Sequence, residues 1–196
     1  MCGRYYVDTG ADDPEIRRII DEVNEKYRDT PQLSAMKTGE IFPADTAPVL
    51  VPGQSALMKW GFARFDLKGK VINARAETLR DKPMFQKLFE GKRCLVPASW
   101  YFEWEKSGGA KRKYAIGTGK TIYMAGLYRF EQPENLPVYV IITKPAAENI
   151  AFIHDRMPLI IEENLRERWL SGEKIDTAEL LKACSGLAYR PAEPVA

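Results

Sequence analysis

The chain has 196 residues, 45% hydrophobic and 29% charged, enough to bury a substantial core in one globular domain without calling for a second. With 29 Lys and Arg against 27 Asp and Glu the net charge is only +2, so nucleic-acid contact would depend on where the charges lie rather than on their sum. No run of about 18 apolar residues can cross a bilayer, "MCGRYYVDTGADD" lacks the basic start and apolar centre of a secretion signal, and Cys2, Cys94, Cys184 and the single His154 fit neither a disulfide framework nor a zinc site; a cytoplasmic protein without metal or cofactor is expected.

The first element in chain order is "DDPEIRRIIDEVNEKYR", which places Ile16, Ile19, Ile20, Val23 and Tyr27 on one helical face, with Asp12 or Asp13 as cap and Pro14 in the first turn. Seven strands follow: "APVLVP", "SALMKWGF", "KVINAR", "KRCLVPASWYFEW", "RKYAIG", "KTIYMAGLYRF" and "LPVYVIIT", each short, β-branched or aromatic, and bounded by Gly, Pro or charged turns. Helices are expected over "KPMFQKLFEG", ending at Gly91, over "NLRERWLSG", ending at Gly172, and over "DTAELLKAC". A nearly unbroken block of strands with helices around it implies α+β with a largely antiparallel sheet. The domain is expected to occupy residues 1–190, and "RPAEPVA", residues 191–196 in particular, reads as a loose tail.

Four local features carry chemistry. Removal of Met1 would leave Cys2 as an N-terminal aminothiol, with amine and thiol of ordinary pKa about 7.7–8.0 and about 8.5 on adjacent carbons, a pair suited to capturing aldehydes. In "VINARAET", Asn73, Arg75 and Glu77 alternate and share one face if the strand continues. Glu103 stands among Trp100, Tyr101, Phe102 and Trp104, where poor hydration raises a carboxyl pKa. His154, in "FIHDRMP", has the only side chain that ordinarily titrates in the physiological range. Three of them also have an ordinary reading: a small buried hydrophobe for Cys2, an exposed strand residue for Glu103, a loop histidine bonded to backbone for His154.

Taken in order, "MCGRY", "W-G-F", "NARAET", "RCLVPASWYFEW" and "IHDRMP" resemble the SOS-response-associated peptidase family, from Cys2 to about Leu159. The resemblance implies a single compact domain with a barrel-like β core and outer helices. It also implies a sensor of abasic sites in single-stranded DNA that crosslinks to them through the mature N-terminal cysteine, acting as a monomer in the cytoplasm, at the nucleoid in a bacterium. By the same resemblance Asn73 would hold the sugar or amine, Glu103 would assist proton transfers, and His154 would open the sugar ring and shuttle protons. Arg4, Arg75 and Arg156 would clamp phosphates, and Trp60, Met84 and Phe85 would stack on or wedge between bases, although a core role for each of these three is equally open.

The chain departs from the family pattern in "FARFD" after Gly61 and in "GEIFPADTAP", where Pro43 takes the wedge position. These loops bear on which DNA structure is preferred. Two other functions stay open on the sequence: an N-terminal-nucleophile cysteine peptidase, acting on no more than its own Met1, and a non-covalent reader of modified bases.

Overall fold

Pro and Gly mark the ends of most apolar runs, and those runs form the strands. The computed structural model describes residues 2–10, 13–64, 68–105, 112–132, 136–181 and 186–192. Strand β1 (Arg4–Val7) is followed by helix α1 (Pro14–Lys26), the single turn α2 (Pro31–Ser34), and strands β2 (Gly39–Ile41), β3 (Thr46–Val51) and β4 (Gln54–Trp60). The short strands β5 (Phe62–Ala63), β6 (Lys70–Val71) and β7 (Asn73–Arg75) lead to helix α3 (Pro83–Gly91). Next come β8 (Arg93–Ala98), β9 (Trp100–Glu105), β10 (Arg112–Gly117), β11 (Ile122–Phe130), β12 (Pro137–Pro145) and β13 (Arg156–Pro158). The short helices α4 (Arg166–Leu170) and α5 (Thr177–Leu180) precede β14 (Ala188–Pro191).

One sheet closes on itself. Strands β11, β8, β3, β4 and β12 pair in that order, and β12 pairs back onto β11, so the ring has no free edge. β12 outruns the ring, and its far half takes β7 on one side and β13 on the other. A second sheet has the order β14, β10, β9, β1, β2, antiparallel throughout. The expected antiparallel, barrel-like α+β architecture is thus present, with β4 and β7 running parallel to β12.

The two sheets share a core. Tyr5, Tyr101, Tyr114 and Ile116 from the second sheet pack against Val49, Trp60, Val96, Met124 and Tyr139 of the barrel. Helix α1 lies on the barrel through Ile16, Ile19 and Val23, each side chain of this size contributing about 1.5–3 kcal/mol on full burial. Its cap is Asp13, whose Oδ1 accepts the Glu15 and Ile16 N–H groups.

Several sequence expectations needed correction. "KRCLVPASWYFEW" is not one strand: it turns at Ser99, sending β8 into the barrel and β9 into the second sheet. The corner is pinned by Ser99 N–H donating to Tyr6 O at 2.8 Å and by Ser99 Oγ accepting from the Asp8 N–H. "KVINAR" divides at Ile72, and β7 gives way after Arg75 to a tight turn over Ala76–Thr78, so Glu77 does not continue the alternation of Asn73 and Arg75. β1, β2, β13 and β14 are too short or too polar for a period-two signal; β14 takes Arg190 and Pro191, read as tail, into register with Ala115 and Tyr114. Cys184 and residues 193–196 lie outside the described residues.

Candidate active site

Cys2 sits one residue ahead of β1, which runs between β2 and β9, and it is fully buried. β7 lies alongside β12 with Asn73 opposite Ile141, and this register carries the Asn73 amide to the chain's start: Nδ2 donates to the Cys2 carbonyl oxygen at 2.9 Å. Asn73 Oδ1 is buried with no hydrogen-bond partner among the described residues. Glu103 is 4% exposed on β9. Burial pushes the Cys2 thiol well above its ordinary pKa, and the nearby Glu103 charge pushes it further in the same direction. In this enclosure the thiol is held in its protonated form. Asn73 thus touches Cys2 directly, and the Glu103 charge acts on the Cys2 thiol, although the three lie far apart in sequence.

The "IHDRMP" segment is tied to "NARAET" by charge. Arg156, on β13, pairs through Nη1 and Nη2 with the Glu77 carboxylate, and Nη2 also donates to Thr143 O at 2.8 Å. Thr143 stands opposite both Arg75 and Pro158, so β12 is the beam that carries both motifs. The Glu77 carboxyl is held below the usual carboxylate range, chiefly by its hydrogen bond from Arg156. The Arg156 backbone N–H donates to His154 Nδ1 at 3.0 Å, which fixes the ring's orientation and leaves Nε2 to carry the proton of the neutral imidazole.

The residues expected to touch DNA divide. Arg4 is half-exposed, with its guanidinium 4.5 Å from the Phe42 ring centre, 4.9 Å from that of Trp104, and paired with Glu40 at 3.2 Å. Pro43 is exposed in the turn between β2 and β3, where Ala44 adopts a φ of 76° and Asp45 accepts the Phe42 N–H. Arg75 is exposed and pairs with no carboxylate among the described residues, and Met84 is half-buried against the barrel. Trp60 and Phe85 are corrected to packing residues. Trp60 is fully enclosed, lies parallel to Tyr139 at 6.2 Å and donates from Nε1 to Ile72 O at 3.0 Å; Phe85 is 5% exposed beside Phe62.

Sequence reasoning missed Glu40, which holds both Arg4 and the buried Lys113, the latter at 2.7 Å. It also missed exposed Phe42 and the 2.7 Å hydrogen bond between the Tyr5 and Tyr139 hydroxyls beneath Cys2's strand. None had a local signal, because each partner arrives from another strand. Among the described residues no helix is long and apolar enough to cross a membrane, and no group of three or more His, Cys, Asp or Glu is placed to hold a metal ion.

A closed barrel flanked by a second sheet, with an enclosed cysteine at residue 2 facing Asn and Glu, defines a narrow class. The sequence pattern of the family described as SOS response associated peptidase (SRAP) matches residues 1–194, and the chain belongs to that family. It is 31% identical over 193 residues to the abasic site processing protein YoqW of Bacillus subtilis, covering 90% of this chain and 83% of that one. It is 31% identical over 173 residues to the abasic site processing protein HMCES of Gallus gallus, covering 71% of this chain and 50% of that one. A crystal structure of a Bacteroides thetaiotaomicron protein superimposes with a TM-score of 0.77 over 98% of this chain and 92% of that one at 23% identity, which shows the shared fold.

Proposed function

We propose that the chain processes abasic sites in DNA by bonding covalently to them through Cys2 once Met1 has been removed. The Asn73 amide bonded to the Cys2 carbonyl, with the buried Glu103 charge acting on the Cys2 thiol, supports this reading. The Cys2 amine attacks the aldehyde carbon of the ring-opened sugar, and water leaves to give an imine. The sulfur then bonds to the same carbon while its proton passes to the nitrogen, closing a five-membered thiazolidine; one water is released and nothing is oxidised or reduced. Because burial keeps the thiol protonated, its proton must be taken as the sulfur adds, and Glu103, whose charge acts on the thiol, is the group that relays it in this reading. Asn73 Nδ2 fixes the residue that reacts, and its unpaired Oδ1 offers an acceptor to the amine or a sugar hydroxyl. His154 Nε2–H is the acid for opening the sugar ring. Arg75 and Arg4 would steer the phosphates of a single strand.

The reading is supported by relatives that are themselves named for abasic site processing. Its test is incubation of Met1-free protein with single-stranded DNA carrying one abasic site, followed by a denaturing gel. A heat-stable shifted band is expected; its absence, with the abasic site verified, would rule the reaction out.

A further inference from the structure

A second site lies at the other end of β9. A cleft of about 840 Å³ opens where the outer face of the second sheet meets the start of α1, within the size range of small-molecule sites. It is some 13 Å along the strand from the Cys2 end, four residues at about 3.3 Å each. Its floor is bare: Ala115, Gly117 and Ala188 share the outer face by register, and a side chain at Gly117 would come within 3.0 Å of Ser99 O. Its wall is the Trp100 indole, stacked on Tyr6 at 4.6 Å on one side, with the exposed Arg190 guanidinium 5.0 Å from its ring centre. The Trp100 Nε1 is buried with no hydrogen-bond partner among the described residues, so its N–H reports on the packing around the indole.

The lining charges favour an anion. Of the acids, Asp13 is taken up by the α1 N–H groups and the Thr121 hydroxyl, and Glu15 by the Tyr123 hydroxyl and Arg166. Glu163 stays at the rim as an acceptor. Arg190 and Lys120 are exposed and pair with no carboxylate among the described residues. A flat, empty floor beside an indole, with unspent cations at the mouth, suits a planar ring bearing an anionic group.

We propose that this cleft binds a nucleotide, its base on the Ala115, Gly117 and Ala188 floor beside Trp100 and its phosphate toward Arg190 and Lys120. The nucleotide is either free or one of those flanking the lesion in the bound strand. The site does not depend on Cys2 reacting.

The test follows the Trp100 indole N–H resonance by NMR, identified by its loss in Trp100→Phe, during titration with dAMP, deoxyadenosine, inorganic phosphate and an undamaged eight-nucleotide single strand. A saturable shift with dAMP is expected, weaker with deoxyadenosine and absent with phosphate. The Arg190→Ala/Lys120→Ala variant should bind dAMP about tenfold more weakly, the loss of one charged hydrogen bond. Ala188→Leu, which fills the floor from an exposed edge strand, should abolish the shift. A shift with the octamer and not dAMP assigns the nucleotide to the strand. No shift with either, or equal shifts with phosphate alone, overturns the proposal. Crosslinking to an abasic dinucleotide, too short to span both sites, should be unchanged in these variants; failure of the parent protein to crosslink alongside its intact dAMP binding would sink the Cys2 reading and leave the cleft.

Discussion

His154 Nδ1 receives the Arg156 backbone N–H at 3.0 Å while Asp155 Oδ1 stands 2.8 Å from the same nitrogen. One nitrogen has either a lone pair or a proton, so the two contacts belong to different states: the amide bond to the neutral ring, the carboxylate bond to the protonated one. The ring therefore keeps a partner at Nδ1 whether or not it is charged, which suits a group that gives and takes a proton at Nε2. Asp155→Asn keeps the amide bond and removes the carboxylate contact at Nδ1, and single-turnover crosslinking should slow. Because the Asp155 side chain is 80% exposed, the urea midpoint should hardly move. An unchanged rate would show that Asp155 has no part in proton transfer.

Cys2→Ala should fold and lose the heat-stable adduct, and so should a chain with one alanine inserted between Met1 and Cys2, which removes the free amine and keeps the thiol. Glu103→Gln should slow single-turnover crosslinking by roughly 10²-fold or more while affinity for undamaged strand changes little. A normal rate from the inserted chain would exclude the aminothiol as the reacting group.

Glu77 spends the charge of Arg156. Glu77→Gln should free that guanidinium for phosphate, raising affinity for undamaged single strand and steepening its salt dependence by about 0.7 in log–log slope, the increment for one more phosphate contact. The same variant should lose pH dependence on the acid side. The Glu77 carboxyl sits below its unfolded value, so its contribution is present above about pH 4.3 and disappears as the pH falls through the lowered value. Urea midpoints from pH 7 down to pH 3 should fall less steeply for Glu77→Gln than for the parent chain.

On the alkaline side the sign reverses. Burial raises the pKa of Cys2, Cys94, Tyr5 and Tyr139, so each binds its proton more tightly folded than unfolded. Their stabilisation is complete below the ordinary values of about 8.5 for Cys and about 10 for Tyr, and declines once the pH exceeds these. Denaturant midpoints should hold from pH 6 to 8 and drop between pH 9 and 11. The drop should be smaller in Tyr5→Phe, compared with its own midpoint at pH 7. A flat profile would mean the phenols and thiols are hydrated in the folded state.

Trp60→Ala should cost about 3–5 kcal/mol of stability, as for other large core aromatics, because the residue joins the barrel to Tyr5 of the second sheet. DNA affinity measured where the variant is still folded should be close to that of the parent. Met84→Ala and Arg75→Ala should show the opposite pattern, with stability kept and DNA binding weakened; a stable Trp60→Ala with lost binding would reverse the assignment.

Chemistry was legible in the sequence where a residue type is costly out of place. Cys2 behind Met1, Glu103 among aromatics and Asn73 at the end of an apolar run each stand out locally, and in the fold Asn73 bonds to Cys2 while the Glu103 charge acts on its thiol. Their companions were illegible for a shared reason. Glu40 has meaning only because β2 lies beside β1, and the pairing of Glu77 with Arg156, each visible in its own motif, only because a turn after β7 swings Glu77 to a strand of three residues. Trp60 and Phe85 show the limit from the other side: an aromatic in an apolar run reads equally well as core or as stacking platform, and only closure of the ring decides it. The Ser99 corner was invisible because alternation is the same on both sides of it; what changes there is the sheet.

Enclosure of Cys2 also sets an order of events during synthesis. Its covers come from Asn73 and from β9, which ends at Glu105, about a hundred residues downstream. At roughly 5–20 residues per second, the ribosome delivers that stretch some 5–20 seconds after the amino terminus emerges. During that interval the Cys2 thiol is open to solvent, whereas in the folded chain it is fully enclosed. A thiol reagent should therefore label Cys2 on the nascent chain and spare it once β9 has docked.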